Sequence, residues 1–317
     1  MSVLVTGGSG FIGKSLIPLL SEHAVTVLSR TQPKDQSNIN WVNFDLEELL
    51  LGKSFPGEYK TVIHLAARAH ILRDTSLNPK REFTRFNNDI TIELARFMAQ
   101  RNMTRFIFVS SIGVNGGFTR EGEKFSKSSI PKPITEYGKS KCQAELSLTA
   151  LSKELGFDLV IIRPVLVYGK DAPGNFGMLT KLVKSMPILP FGLANNRKDF
   201  ISVQNLSSLL VTCIDHPKAP GNVFLASDGE SVSTKHFTNA IAQGLGKKVI
   251  QLPIPVVLMR AFGRLMGKES MIDQLYGNLE VDSSNTEEVL GWEPPLTMRQ
   301  AMLTLREKEQ KINDTDN

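Results

Sequence analysis

The stretch "VLVTGGSGFIG", residues 3–13, decides the fold. An apolar, β-branched run gives way to glycines spaced three apart, Gly7, Gly10 and Gly13, and a helical pattern follows. Glycine at such a turn lets the backbone approach a ligand closely. The amides that open the helix then face an anion such as a pyrophosphate. Spacing alone is a weak signal, but a strand before and a helix after make an accidental glycine turn the poorer explanation.

Outward from this turn, "VTVLS", "WVNF", "TVIHLA", "RFIFVS" and "LVIIRP" read as further strands. Their near-continuous apolarity suits a parallel sheet covered on both faces. Between them, "FIGKSLIPLLSE" and "NNDITIELARFMAQ" carry apolar residues at helical spacing. This alternation predicts an α/β, doubly wound parallel sheet. After about residue 170, Pro and Gly punctuate "DAPGNFG", "SMPILPFG" and "PKAPGN". The expected organisation is a dinucleotide-binding domain over 1–170 and a smaller substrate lobe over 171–305, interleaved with late strands of the main sheet. The charged tail at 306–317 reads as frayed.

With 317 residues, 41% hydrophobic and 22% charged, the chain can bury a large core. Its net charge of +5 is not gathered into any block of like charges, which argues against a nucleic-acid partner. The N-terminus lacks signal-peptide character, and no uncharged stretch reaches the roughly 18–20 residues of a membrane span. A soluble, cytoplasmic protein is expected. "PIPVVLMRAFGRLMG" (253–267) is the most membrane-like segment, read as an ordinary amphipathic helix with surface attachment as the alternative. Cys142 and Cys213 lie in apparent helices and read as buried, reduced thiols. The five histidines form no ligand-spaced cluster, so no catalytic metal is expected.

A site preferring NAD(H) usually ends its second strand with an acidic residue, about 20 residues past the glycines, to accept both ribose hydroxyls. Here "TVLSRT" supplies Ser29 and Arg30. An uncharged serine leaves room for a 2′-phosphate, and a guanidinium can hold one. NADP(H) is therefore favoured, with NAD(H) the alternative if Arg30 merely stacks on adenine. Asp45, ending the third strand, can accept from the adenine amino group; capping the next helix is its structural rival.

In "TEYGKSK", Tyr137 and Lys141 stand four apart and share a helix face. Ser110 and Ser111 follow a strand, at the edge where ligands lie in open parallel sheets. A tyrosine needs roughly 4 kcal/mol to drop from a pKa of about 10 to neutrality. One cation at about 4 Å and an effective dielectric near 20 supplies that much. Lys141 is thus expected to lower the Tyr137 pKa and to hold the nicotinamide ribose, while Ser111 bonds the substrate oxygen.

Together, "TGGSGFIG", "FVSSIGVNG", "YGKSK" and "RPVLVYG" resemble the extended short-chain dehydrogenase/reductase family, in the branch of UDP-hexose 4-epimerases and nucleotide-sugar reductases. The likeness spans nearly the whole chain and implies a Rossmann sheet. By position it implies catalytic Ser111, Tyr137 and Lys141. It implies cofactor contacts at Gly7, Ser9, Gly10, Phe11, Ile12 and Gly13, then Asp45 with Leu46, Leu65, Ala66 and Ala67, Asn87, Pro164 and Val167. Asn175 and Phe176 resemble the substrate-side asparagine segment, and Arg197 or Lys198 the basic residue that meets a UDP-sugar diphosphate. Lys198 stands where arginine is usual, and a solvated loop pair is the competing explanation. Arg68 and His70 in "HLAARAH" are candidates for the sugar pocket, with plain loop residues as the alternative. Leu146 and its neighbours are expected to pack towards the sheet or a partner, and helices around 86–101 and 137–155 to pair in a homodimer.

The implied reaction is hydride transfer at C4 of a UDP-sugar. The Ser29–Arg30 pair favours a 4-ketoreductase giving a UDP-N-acetylquinovosamine type product for surface polysaccharide; a 4-epimerase with retained NAD is the close alternative. A 4,6-dehydratase is disfavoured, since Ile112 and Gly113 stand where an acidic pair is needed. A non-catalytic cofactor sensor is the rival from another class.

Overall fold

The computed structural model describes residues 1–31, 39–69, 76–267 and 269–306. His70 and the tail beyond Arg306 lie outside them. Twelve strands occur among these residues: β1 (Ser2–Thr6), β2 (Ala24–Ser29), β3 (Asn40–Asn43), β4 (Thr61–His64), β5 (Arg105–Val109), β6 (Asp158–Pro164), β7 (Leu166–Tyr168), β8 (Ile188–Leu189), β9 (Lys198–Ser202), β10 (Val223–Ala226), β11 (Ser231–Val232) and β12 (Ile250–Gln251). Seven build one sheet in the order β10-β6-β5-β4-β1-β2-β3, all pairings parallel. This is the doubly wound Rossmann order that the alternation predicts.

Parallel strands buried on both faces explain the unbroken apolar runs. Val3 and Val5 point to one face, Leu4 to the other, as the two-residue period requires. The first face is covered by α1 (Phe11–Leu16) through Leu16 and by α6 (Val203–Asp215) through Leu206, Leu209 and Leu210. The second is covered by α3 (Ile90–Ala99) through Leu94 and Met98, and by α4 (Glu136–Leu155) through Leu148 and Leu151. Between α1 and α3 comes α2 (Pro79–Thr84), and between α4 and α6 comes α5 (Gly174–Ser185).

Two helices depart from the expected spans. The first stops at Leu16 and continues as a 3₁₀ turn, Ile17–Leu20, because Pro18 has no N–H to extend the α ladder. The third begins at Ile90, and a π turn, Arg85–Asp89, carries Asn87 and Asn88 inward. Cys213 is buried, while Cys142 is only half-buried; both are free.

A third apolar cluster lies in the later part of the chain, between α5 and α7 (Thr234–Gly244). At its centre Phe237 stacks on Phe200, ring centroids 3.7 Å apart, with Tyr168 and Phe176 edge-on. Helices α8 (Val256–Leu265) and α9 (Glu269–Tyr276) follow β12, and the short helices α10 (Ser284–Leu290) and α11 (Met298–Leu303) come after them. Open sheets of this kind bind ligands in the crevice where the strand order reverses, here between the C-terminal ends of β1 and β4.

Candidate active site

The glycine turn sits at that crevice. Gly7 has φ +71, a left-handed conformation, and a Cβ there would stand 2.7 Å from the Ala66 nitrogen. The loop after β4 can close on the loop after β1 only because that Cβ is missing. Leu65 N donates to Thr6 O at 3.1 Å and fixes this approach, which brings Leu65, Ala66 and Ala67 alongside the turn. Gly13 lets the helix reach Gly8, whose oxygen would lie 2.4 Å from a Cβ. Gly10 N donates to Gly7 O at 3.0 Å, which closes a turn with Ser9 inside it and leaves Phe11 and Ile12 at the start of α1.

Ser9 Oγ and Ser29 Oγ are 3.2 Å apart, so the end of β2 borders the same crevice, with Arg30 exposed beside it. Asp45 caps the 3₁₀ helix Leu46–Leu51, its Oδ1 accepting from Glu47 N at 3.1 Å. The capping role is therefore realised, and Leu46 is buried in the core rather than facing the crevice. A turn that only glycine fits, together with hydroxyl groups at the end of β2, suits a dinucleotide.

Ser111 leaves β5 in an extended conformation and opens the short 3₁₀ turn Ile112–Val114, its Oγ accepting from Gly113 N at 3.1 Å. Thr135 caps α4 by accepting from Gly138 N, which places Tyr137 in the first turn and Lys141 one turn deeper. A Gly138 Cβ would stand 2.6 Å from Gly113 O, so glycine at 138 lets α4 approach the Ser111 turn. Tyr137 and Ser111 are hydrogen-bonded, and the Phe83 ring lies edge-on to Tyr137 at 6.4 Å.

The expected lowering of Tyr137 is not found. Loss of surrounding water pushes its phenol up to about 12, with the Ser111 hydrogen bond acting the other way. The cause is where Lys141 points. Its Nζ donates to Val109 O at 2.9 Å and lies 4.4 Å from the centre of the Phe108 ring. Burial pulls this amine down to about 7, against the attraction of Glu145. The pair shares one helix face, yet the ammonium is held by the strand rather than by the phenol.

Below these residues lies a polar layer of which the sequence pointed only to Asn87, Arg68 and Ser110, and not to its connections. Asn87 accepts from Arg68 N at 2.8 Å and donates to Arg68 O and to Ser140 Oγ, tying the loop after β4 to α4. Ser140 in turn donates to Tyr137 O at 2.8 Å. His64 bridges Thr6 and Thr91 at 2.7 and 3.0 Å. Burial, and secondarily Lys141, hold the His64 pKa at about 3, so it stays neutral. Glu145 accepts from Ser110 and Arg163, and Arg163 donates onward to Asn115 Oδ1 at 3.0 Å. A signal was present: a lone arginine in the apolar run "LVIIRP" requires a buried counter-ion, and Glu145 stands one turn after Lys141.

Pro164 ends β6 and Val167 lies in β7, beyond the same sheet edge. The substrate-side expectations fare differently. Phe176 is 2% exposed, its ring packed in the third cluster, so it offers no side-chain wall to a ligand. Asn175 is exposed and donates to Gln274 at 3.1 Å. Arg197 Nε donates to the buried Glu280 at 2.8 Å, and Lys198 Nζ donates to Gln274 O. Lys198 is thus engaged by α9 itself and Arg197 by the segment that follows it. Arg68 has its guanidinium 5.6 Å from the centre of the Phe83 ring, next to Tyr137.

The chain is similar to known proteins along most of its length. The chain is 38% identical over 303 residues to a UDP-glucose 4-epimerase of Vibrio cholerae, covering 94% of this chain and 92% of that protein. It is 24% identical over 326 residues to a dTDP-4-dehydro-6-deoxyglucose reductase of Escherichia coli, covering 93% of each. The crystal structure of UDP-glucose 4-epimerase with UDP-glucose from Thermotoga maritima has the same fold, with a TM-score of 0.74 at 20% identity, covering 96% of this chain and 97% of that one. Residues 3–226, from the first strand to the last strand of the main sheet, match the pattern of the NAD dependent epimerase/dehydratase family, and this chain belongs to that family.

Proposed function

We propose that the protein transfers hydride at C4 of a UDP-linked sugar, in the direction of reduction: a UDP-4-keto-6-deoxy-N-acetylhexosamine 4-reductase. One observation carries the direction. The second strand ends in Ser29 and an exposed Arg30 with no carboxylate, which suits the 2′-phosphate of NADPH, a reductant consumed in a net reduction, while Tyr137, protonated at neutral pH like any ordinary phenol, can give its proton to a ketone oxygen. A bound nicotinamide supplies the hydride that reaches C4. Ser111 orients the C4 oxygen, Tyr137 donates its phenolic proton to that oxygen, and the phenolate regains a proton from water. A protonated Lys141 released from Val109 O favours the phenolate while it lasts. Gly7, Ser9, Gly10, Phe11 and Ile12 would hold the pyrophosphate, Leu65–Ala67 the middle of the cofactor, and Pro164 and Val167 the nicotinamide end. Ser29 and Arg30 would take the 2′-phosphate of NADP(H).

The 38%-identical relative favours a second reading, a UDP-hexose 4-epimerase that keeps NAD(H) bound. Dehydration is the weakest option, because Ile112 and Gly113 after Ser111 offer no carboxylate to take a C5 proton. One experiment separates the readings. Protein is incubated with UDP-4-keto-6-deoxy-N-acetylglucosamine and NADPH, and separately with UDP-glucose or UDP-N-acetylglucosamine without added cofactor, with products read by NMR. NADPH oxidation in the first tube is the expected result; interconversion of 4-epimers in the second would establish the epimerase. Tyr137→Phe lowers turnover about 10²–10⁴-fold in either case. Unchanged biological activity of that variant would point to a cofactor sensor. We also propose a homodimer through α3 and α4, where Leu146 is 68% exposed rather than packed on the sheet. A monomeric mass by light scattering would refute it.

A further inference from the structure

Amphipathic helices bury their apolar stripe, and α8 does not. Val257, Leu258, Phe262 and Leu265 fall on one helix face and are exposed, Leu265 by 86% and Val257 by 75%. Met266, just beyond the helix, is exposed as well. The helix is held by its other side, where Val256 and Met259 pack on the third cluster. The two-stranded sheet that precedes α8 in the chain exposes apolar side chains as well: Ile250 pairs in register with Ile188 and Leu252 follows, all exposed. Scattered apolar residues need no explanation, but an uncovered apolar helix face of this kind marks an interaction surface.

Its rim is basic. Arg260 and Arg264 flank the α8 stripe, and Lys247 and Lys248 lead into β12, with Lys247 Nζ 2.5 Å from Lys184 O at the end of α5. The acids at this rim are Asp273 and Glu269 of α9, which pair with Arg260 at 3.2 Å and Arg264 at 2.6 Å. Those pairs anchor the two guanidinium groups beside the stripe, and the cations of the rim outnumber its acids.

We propose that this surface docks on an anionic phospholipid membrane, with the α8 stripe entering the headgroup boundary and the basic rim meeting lipid phosphates. Charge complementarity selects this occupant. A two-fold pairing of the same face on a second copy would bring like charges together, whereas an anionic leaflet matches them. The contact lies on the surface, since no helix among the described residues is long and apolar enough to cross a bilayer. The proposal is independent of the sugar chemistry.

The test is co-sedimentation of the full chain with phosphatidylcholine vesicles containing phosphatidylglycerol, against pure phosphatidylcholine vesicles, for wild type and for Phe262→Glu with Leu265→Glu. Both positions are exposed, and an unchanged thermal midpoint confirms that the variant folds. The expected result is binding to the anionic vesicles that falls about tenfold in the variant and weakens with salt. Absence of vesicle binding, or equal binding by the variant, overturns the proposal. So does a dimer in light scattering that the two glutamates dissociate, which would assign the face to a second copy.

Discussion

Arg163 and Glu145 form a two-pronged ion pair directly behind the Ser110–Ser111 step. Nη2 and Nε of Arg163 lie 2.5 and 2.9 Å from the two carboxylate oxygens, and both side chains are 7% exposed. The pair joins β6 to α4, and through Ser110 it also fixes the end of β5. The end of β5, which supplies Ser111, and α4, which supplies Tyr137 and Lys141, thus share one polar anchor with β6.

Glu145→Gln leaves the Arg163 guanidinium buried without its counter-charge. The expected loss is about 3–5 kcal/mol of stability by urea unfolding, far above that of an exposed pair. The same change removes the attraction that raises the Lys141 pKa, so Lys141 should titrate lower still. Stability within 1 kcal/mol of wild type would show that the pair does not anchor these elements.

Lys141 makes stability depend on pH. Its folded pKa, about 7, lies below the ordinary 10.5. As pH falls from 10.5 to 7 the unfolded chain binds a proton that the folded protein refuses, so stability declines over that window and levels off below it. Lys141→Met removes this penalty, on the order of 4 kcal/mol at neutral pH before any cost of the lost bond to Val109 O. Unfolding of both proteins at pH 10.5 and pH 7 should show the variant gaining on wild type at the lower pH while losing activity. Parallel curves would mean that the amine is not buried in solution.

Asn87→Ala removes the hydrogen bonds to Arg68 N, Arg68 O and Ser140 Oγ. The expected cost is about 2–4 kcal/mol, accompanied by weaker cofactor binding as the loop after β4 loosens. Urea unfolding together with NADPH titration checks both effects. Asn87→Asp, which keeps only the acceptor, should fall between the two.

On the proposed contact between Arg30 and a 2′-phosphate, Arg30→Ala should weaken NADPH binding about tenfold, by loss of one charge-assisted bond, and leave NADH binding unchanged. Ser29→Asp should invert the preference by repelling that phosphate. Fluorescence titration with each cofactor decides the matter. An equal loss for both would assign Arg30 to adenine stacking instead.

The sheet was legible from sequence because burial on both faces requires unbroken apolar strands, and because Gly7 and Gly13 stand where a Cβ would collide with backbone. The four-residue spacing of Tyr137 and Lys141 likewise fixed that both face one side of α4. Tertiary structure alone decided the charge state of that pair. Whether Lys141 meets Tyr137 or Val109 O depends on where β5 passes, and the pKa values follow from the water that packing excludes. It also took Phe176 into the core and gave Arg197 to Glu280, since such contacts join segments far apart in the chain. The helical period of α8 was plain in the sequence; only its placement left the apolar face uncovered, because covering it depends on neighbours that one segment does not specify.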